Sequence, residues 1–159
     1  MAITYEAIVK FMKDYCEDFG KYAQNPETVQ RMHAYYTADV EYVPYTAEAL
    51  AHMTGRDEFL HIMSSHPTVH EVIEPEEIIV DEKRKIAVLL LDAKLLDAKT
   101  NALLGEKHYF PLYQLTADEN ENLKIKKILF WEEVLAPGSV DFGEIFKQNP
   151  EMKKGFSIQ

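Results

Sequence analysis

The hydrophobic period of this sequence changes at Pro67, and that change sets the order of its secondary structure. Before Pro67, apolar residues recur every three to four positions, which is typical of amphipathic helices. After Pro67 they recur about every second position, which is typical of strands with one buried face. The chain is therefore predicted to form helices first and a sheet second, as in an α+β fold.

The part before Pro67 is predicted to contain three helices and one short strand. The first helix starts near Thr4, and Asn25-Pro26 is typical of the start of a second one. Residues 40–45 are β-rich and bounded by a proline, so they are expected to form an edge or partly paired strand. Residues 54–66 open with a capping-box pattern, which predicts a third, short helix.

Four longer strands are predicted after Pro67. The polar connections between them are too short for a crossover helix, so neighbouring strands are expected to be antiparallel. Long strands in a meander twist and curl, and the helices would fill the concave side. The predicted fold is a cone-shaped α+β barrel, with N-terminal helices packed in a strongly bent antiparallel sheet. The predicted strands are residues 68–81 with a break at Pro75, 86–98, 103–116 and 123–135.

Length and charge limit the classes of partner. A chain of 159 residues fits one core, so we predict a single domain over residues 1–137 and a tail over 138–159. The net charge of −10 would repel phosphate backbones and anionic lipid, so neither nucleic acid nor a membrane is an expected partner. The longest apolar run, Ile86–Leu91, is too short to span a bilayer. The N-terminus lacks a signal-peptide pattern, so a cytoplasmic location is expected.

The motifs of several enzyme classes are missing from the sequence. It contains no glycine-rich phosphate loop, no G-x-S-x-G, no HExxH and no CxxC, so neither a cofactor nor a metal is expected. The single cysteine, Cys16, is expected to be a small core residue. The remaining chemistry is proton transfer without a cofactor, on a small carbonyl or hydroxylated ring compound in an aromatic pocket.

Short patterns in the sequence, together with the element order, carry a resemblance to a known superfamily. The patterns are Tyr35–Tyr42, Gly55–Phe59 and Ile128–Glu132. They resemble the nuclear-transport-factor-2-like superfamily, which includes ketosteroid isomerases, SnoaL-like polyketide cyclases, limonene epoxide hydrolases and scytalone dehydratases. The tail around Val140–Phe146 is similar to the C-terminal segment of scytalone dehydratase. That likeness implies that Phe142 and Phe146 bind ligand and close the pocket mouth.

The same resemblance implies a set of catalytic residues. Tyr22 and Tyr42 match the two water-holding tyrosines of scytalone dehydratase, and His70 matches its first histidine. The aspartate expected after the first tyrosine is Ala23 here, and the second histidine has no counterpart within residues 86–98. Half of the family's acid/base pair is therefore missing.

Carboxylates offer further candidates. Asp92 lies near the position of the missing histidine and shares a strand face with Lys94, either as an inward ion pair or as an outward solvated pair. Asp39 lies where ketosteroid isomerases place a catalytic aspartate, but it is also a natural loop residue before a strand. By alternation, either Glu132 or Glu133 faces the cone.

Aromatic and histidine side chains complete the candidates. Tyr15 offers a hydroxyl donor to a flat ligand, and Trp131 ends the last strand in an aromatic pair. His108 alternates with Phe110, so it either points into the pocket or has a structural role. All three are predicted to bind ligand.

Two functions follow from these observations. The first is a cofactor-free acid/base enzyme of the dehydratase (lyase) or isomerase type, acting on a small hydrophobic or aromatic ring compound in the cone. The alternative is a non-catalytic small-molecule-binding or dimerisation module of the same fold, which the missing histidine favours. Residues 86–91 are apolar on both strand faces, so a homodimer through the outer sheet face is expected in either case.

Overall fold

The computed structural model describes residues 3–45, 52–65 and 68–133. The helices are α1 (Tyr5–Tyr22), a 3₁₀ helix (Val29–Tyr35) and α2 (Arg56–Met63). The strands are β1 (Tyr36–Pro44), β2 (Met53–Thr54), β3 (Val69–Asp81), β4 (Ile86–Asp97), β5 (Leu103–Tyr109), β6 (Leu112–Ala117) and β7 (Leu123–Phe130).

The strands form one mixed sheet in the order β2-β1-β7-β6-β4-β3, and β5 also pairs with β4. Strands that follow each other from β3 to β5, and from β6 to β7, are antiparallel as predicted. The expectation of a wholly antiparallel sheet is wrong at one place, because β1 and β7 are parallel. Strands β2 to β6 separate β1 from β7 in the sequence, so the chain is long enough to come back and run β7 in the same direction as β1.

The predicted α+β class is confirmed, but the sheet does not close into a barrel. The strand order leaves β2 and β3 at its two edges. β1 pairs with β2 through only two residues and with β7 on its other side, so it is a partly paired strand next to the edge. The molecule is therefore an open cone of sheet around helices.

Prolines mark two irregularities of the sheet. The predicted strand 103–116 is in fact β5 and β6, because Pro111 has no N–H to donate to a continuous ladder. β4 pairs with β5 through Leu91–Leu96 and with β6 through Ile86–Val88. The break predicted at Pro75 appears as a register shift between Pro75 and Glu77.

Helix α1 fills the concave side of the sheet. Thr4 caps its first turn by accepting a hydrogen bond from the backbone N–H of Ala7. Its buried face carries Ile8, Met12, Tyr15, Cys16 and Phe19. The inward face of β4 is buried in the same core through Ala87, Leu89, Leu91 and Ala93.

The predicted second helix is shorter than expected and is a 3₁₀ helix. Asn25 caps the preceding turn, where its side chain accepts a hydrogen bond from the Glu27 N–H. Cys16 lies in the core as predicted, and burial raises the pKa of its thiol to about 12. In the described part of the chain, no helix is long and apolar enough to cross a membrane.

Candidate active site

A cavity of about 400 Å³ lies between the helices and the concave face of the sheet. This volume suits a small ring compound, since ligand pockets commonly enclose roughly 300–1,000 Å³. Most of its wall is apolar or aromatic, and the polar groups in it include Ser65, Glu71 and Glu132. The aromatic rings come from Tyr15, Phe19, Tyr42, Phe59, Tyr109, Tyr113 and Phe130.

Glu71 and Tyr109 form the first polar pair of the cavity. Glu71 and Ile73 lie on the same face of β3, and both line the cavity. The Glu71 carboxylate acts electrostatically on the hydroxyl of Tyr109, which lies at the end of β5. Burial, followed by the charges of Glu71 and Glu132, raises the pKa of Tyr109, so this tyrosine stays a protonated donor at neutral pH.

Tyr42 is influenced by the same two carboxylates, those of Glu71 and Glu132. It reaches the cavity from β1 with its ring buried. Burial, then the charges of Glu71 and Glu132, raise the pKa of its hydroxyl. The cavity therefore brings two carboxylates close to two protonated tyrosine hydroxyls.

Glu132 faces the cavity, and Glu133 faces away from it. Beyond the end of β7, the chain stays paired to β5 through a bridge between Tyr109 and Glu132. The Lys107 Nζ lies 2.6 Å from the Glu132 carboxylate, in a pair that is largely shielded from solvent. On the opposite side, the Glu133 carboxylate accepts hydrogen bonds from the backbone N–H and the ring of His108. Of the two alternatives for the inward glutamate, the structure therefore selects Glu132.

A chain of three buried tyrosines ends at the cavity wall. The Tyr36 hydroxyl donates to the Tyr15 hydroxyl over 2.9 Å. The Tyr113 ring packs edge-on against that of Tyr15, with ring centroids 5.5 Å apart. Burial raises the pKa of each of the three hydroxyls well above the ordinary value, so all three stay protonated at neutral pH.

The expected convergence of Tyr22, Tyr42 and His70 does not occur. Tyr42 lines the cavity as predicted, but His70 alternates with Glu71 and lines a groove on the other side of β3. Tyr22 also lies outside the cavity, with the Arg31 guanidinium 4.8 Å from its ring centroid. The placement of His70 and Tyr22 in the pocket is therefore wrong.

Strand alternation also turns Asp39 and Asp92 away from the pocket. Asp39 is exposed on β1, where Val40 and Tyr42 take the inward positions. Asp92 lies between buried neighbours on β4, so it points outward, where its carboxylate is 3.6 Å from the Lys94 Nζ. The outward alternative for this pair is correct.

The remaining candidates within the described residues are Tyr15, His108 and Trp131. Tyr15 lines the cavity, as predicted. His108 lies on the outer face between Glu76 and Glu133, and Trp131 is exposed and stacks on Tyr45 with ring centroids 4.5 Å apart. The predictions that His108 and Trp131 line the pocket are therefore wrong. Phe142 and Phe146 lie outside the described residues.

The sequence pattern around Glu71 does not decide which face of the strand this residue occupies. Both Val72 and Ile73 are apolar, so alternation alone allows either His70 or Glu71 to face inward. Ile73 is buried and Val72 is only partly buried, so Glu71 is the residue that faces inward. Lys107 carried no sequence signal, because its role depends on the pairing of residue 132 with the end of β5. Within residues 3–45, 52–65 and 68–133, no group of three or more His, Cys, Asp or Glu side chains is placed to hold a metal ion.

The fold and the cavity together define an α+β protein with a pocket between helices and a bent sheet, and this is a known class. The chain has the nuclear-transport-factor-2-like fold. It is similar to an NTF2-like protein from Anabaena variabilis, with 12% identity, 85% of this chain and 96% of that chain covered, and a TM-score of 0.62.

Two enzyme-related structures share the fold. A ketosteroid isomerase-like protein from Erwinia carotovora atroseptica matches at 17% identity, with 80% of this chain and 95% of that one covered, and a TM-score of 0.56. The epoxide hydrolase/cyclase-like enzyme SalBIII, which acts in pyran ring formation in the polyether salinomycin, matches at 13% identity, 81% and 92% coverage and a TM-score of 0.56. No protein-family model matches the sequence, and no similar curated protein is found. At these identities the likeness is one of fold.

Proposed function

We propose that this protein is a cofactor-free acid/base enzyme that isomerises or dehydrates a small cyclic carbonyl or hydroxylated compound. The observation that carries the proposal is the position of Glu71 in an aromatic cavity, beside the hydroxyls of Tyr109 and Tyr42. A carboxylate is a competent base, and protonated tyrosines are donors for an oxygen that becomes negative.

Glu71 is the base in this mechanism. Its carboxylate lies in the cavity wall, close enough to the Tyr109 hydroxyl to raise the pKa of that tyrosine. The carboxylate removes a proton from the carbon next to a carbonyl group, and the electron pair of that C–H bond moves to the carbonyl oxygen. The net charge of the site stays constant, because it passes from Glu71 to the substrate oxygen.

The tyrosines stabilise the oxygen that receives this charge. Tyr113 lines the cavity beside Tyr15, whose hydroxyl accepts a hydrogen bond from Tyr36, so the Tyr113 hydroxyl is a donor held in place by rings packed in the core. Burial keeps these hydroxyls protonated. The protonated Glu71 then returns its proton to a different carbon, which is an isomerisation, or to a departing hydroxyl group, which is a dehydration.

Hydrogen–deuterium exchange into ketones tests this chemistry without knowledge of the natural substrate. The wild-type protein is incubated in D₂O with a panel of cyclic ketones, and deuterium at the carbon next to the carbonyl is followed by NMR. We expect at least one ketone that fits the cavity to exchange roughly 10²–10⁴-fold faster than with buffer alone, the usual contribution of a positioned base.

The same panel separates the enzyme from a binding module of the same fold. A ligand present at 100 times its dissociation constant adds about 2.7 kcal/mol to the free energy of unfolding, which a thermal-shift assay detects. Ketones that raise the melting temperature but never exchange would support the non-catalytic alternative and contradict our proposal.

A further inference from the structure

The side chain of Gln24 makes two hydrogen bonds to the backbone of Glu71. The Glu71 N–H donates to Gln24 Oε1, and Gln24 Nε2 donates to the Glu71 carbonyl oxygen. The two residues are 47 positions apart in the chain. Gln24 comes directly after Ala23, the C-terminal cap of α1. A side-chain amide with both groups engaged in this way imitates the peptide group of a neighbouring strand.

Glu71 needs such a partner because it lies on an edge strand. β3 pairs with β4 along one side, where Glu71 is opposite Leu95, and no strand follows on the other side of β3 within the described sheet. In an antiparallel ladder, both backbone groups of a residue point to the same side. Those of Glu71 point to Gln24, which takes the place of the missing strand for this residue.

We propose that Gln24 is a positioning residue that fixes the Glu71 carboxylate relative to the tyrosine donors. Fixing the Glu71 backbone on its open side sets the direction in which its side chain leaves β3. Helix α1, which ends just before Gln24, also carries Tyr15, whose ring packs against that of the cavity residue Tyr113. Gln24 therefore ties the strand of the base to the helix that carries Tyr15. This inference rests on the proposed role of Glu71 as the base.

The direct test replaces Gln24 by leucine, which keeps the size of the side chain and removes both hydrogen bonds. Gln30→Leu is the matched control, because Gln30 is exposed on the 3₁₀ helix and lines a different cavity. Two NMR readouts do not depend on catalysis. They are the exchange rate of the Glu71 amide proton and the ¹³Cζ signal of Tyr109, which is sensitive to the position of the nearby Glu71 carboxylate.

In Gln24→Leu we expect the Glu71 amide to exchange at least about tenfold faster and the Tyr109 signal to move. With a ketone that the wild-type protein exchanges, kcat should fall on the order of tenfold while KM stays within about twofold, because a misplaced base slows chemistry more than binding. Gln30→Leu should match the wild-type protein in every readout. A Gln24→Leu protein with wild-type NMR signals, or with an unchanged kcat, would overturn the proposal.

Gln24→Glu keeps the proposal testable if the leucine variant does not fold. An ionised glutamate accepts from the Glu71 N–H but cannot donate to its carbonyl, whereas a protonated glutamate does both. The Tyr109 signal of this variant should therefore return toward the wild-type position as the pH falls through about 4 to 5. A signal without this return would contradict the inference. The two NMR signals can be measured even if the protein exchanges deuterium into no ketone. A failure of the proposed function is therefore distinguishable from a failure of the proposed role of Gln24.

Discussion

The Glu71 carboxylate raises the pKa of the Tyr109 hydroxyl although the strands of the two residues do not pair with each other. β3 and β5 both pair with β4, where Glu71 is opposite Leu95 and Tyr109 is opposite Leu91. The two side chains therefore reach over β4 on the concave face of the sheet. The bend of the sheet is thus a condition for the site as well as for the core.

The buried end of the tyrosine chain gives the first prediction. Tyr36→Phe removes the donor to Tyr15 and should lower the free energy of unfolding by about 1–2 kcal/mol, since it deletes one buried hydrogen bond. Tyr5→Phe, at an exposed position, is the control and should have little effect. Urea unfolding followed by circular dichroism measures both. Equal stability of the two variants would show that the Tyr36–Tyr15 bond contributes nothing.

The Lys107–Glu132 pair should be strongly coupled. Its side chains are 30% and 15% exposed, whereas those of the helical pair Lys10–Asp14 are 77% and 49% exposed. A double-mutant cycle with Lys107→Met and Glu132→Gln should give a coupling energy of about 1–2 kcal/mol, because little water screens the pair. The corresponding cycle at Lys10 and Asp14 should give less than about 0.5 kcal/mol. Equal coupling energies for the two ion pairs would contradict this prediction.

His108 should make stability depend on pH. Its hydrogen bond to Glu133, together with the charge of Glu76, raises its pKa above the ordinary 6.5. A raised pKa in the folded state means that protonation favours folding. The contribution is complete below the unfolded pKa and is lost as the pH rises through the folded pKa. Melting temperatures of the wild-type protein and His108→Gln should therefore differ most near about pH 5.5 and converge above about pH 8.5. A difference that grows with pH would have the wrong sign.

A second copy of the chain is the expected cover of the outer sheet face. Leu90 points outward on β4 and is half-buried, while Phe110 and Trp131 are exposed on neighbouring segments of that face. We predict that light scattering gives twice the chain mass of 18.4 kDa and that Phe110→Glu reduces it to the mass of one chain. A single-chain mass for the wild-type protein at high concentration would refute the dimer.

The spacing of apolar residues predicted the positions of the helices and strands better than it predicted which way their side chains point. The apolar face of α1 and the antiparallel meander follow from local spacing, and both are present. The parallel pairing of β1 with β7 has no local signal, because it joins segments about 80 residues apart. Pro111 divides a predicted strand whose alternation looks continuous in the sequence.

The candidate site was predictable only in part. Tyr15 and Tyr42 belong to strongly apolar patterns, so their inward direction was accessible from the sequence. The directions of the other candidates depend on which alternate residues of a strand face the core. A shift of one residue exchanges the two faces of a strand. Because of that exchange, the cavity residue at this end of β3 is Glu71 and not its neighbour His70.

The most direct measurement compares deuterium exchange into a cyclic ketone by Glu71→Gln and Glu77→Gln. Both variants remove one carboxylate from β3, but Glu77 is exposed and lies outside the cavity. We predict that Glu71→Gln lowers the exchange rate by roughly 10²–10⁴-fold while still binding the ketone, and that Glu77→Gln keeps the wild-type rate. Equal rates in Glu71→Gln and the wild-type protein would contradict the assignment of Glu71 as the base.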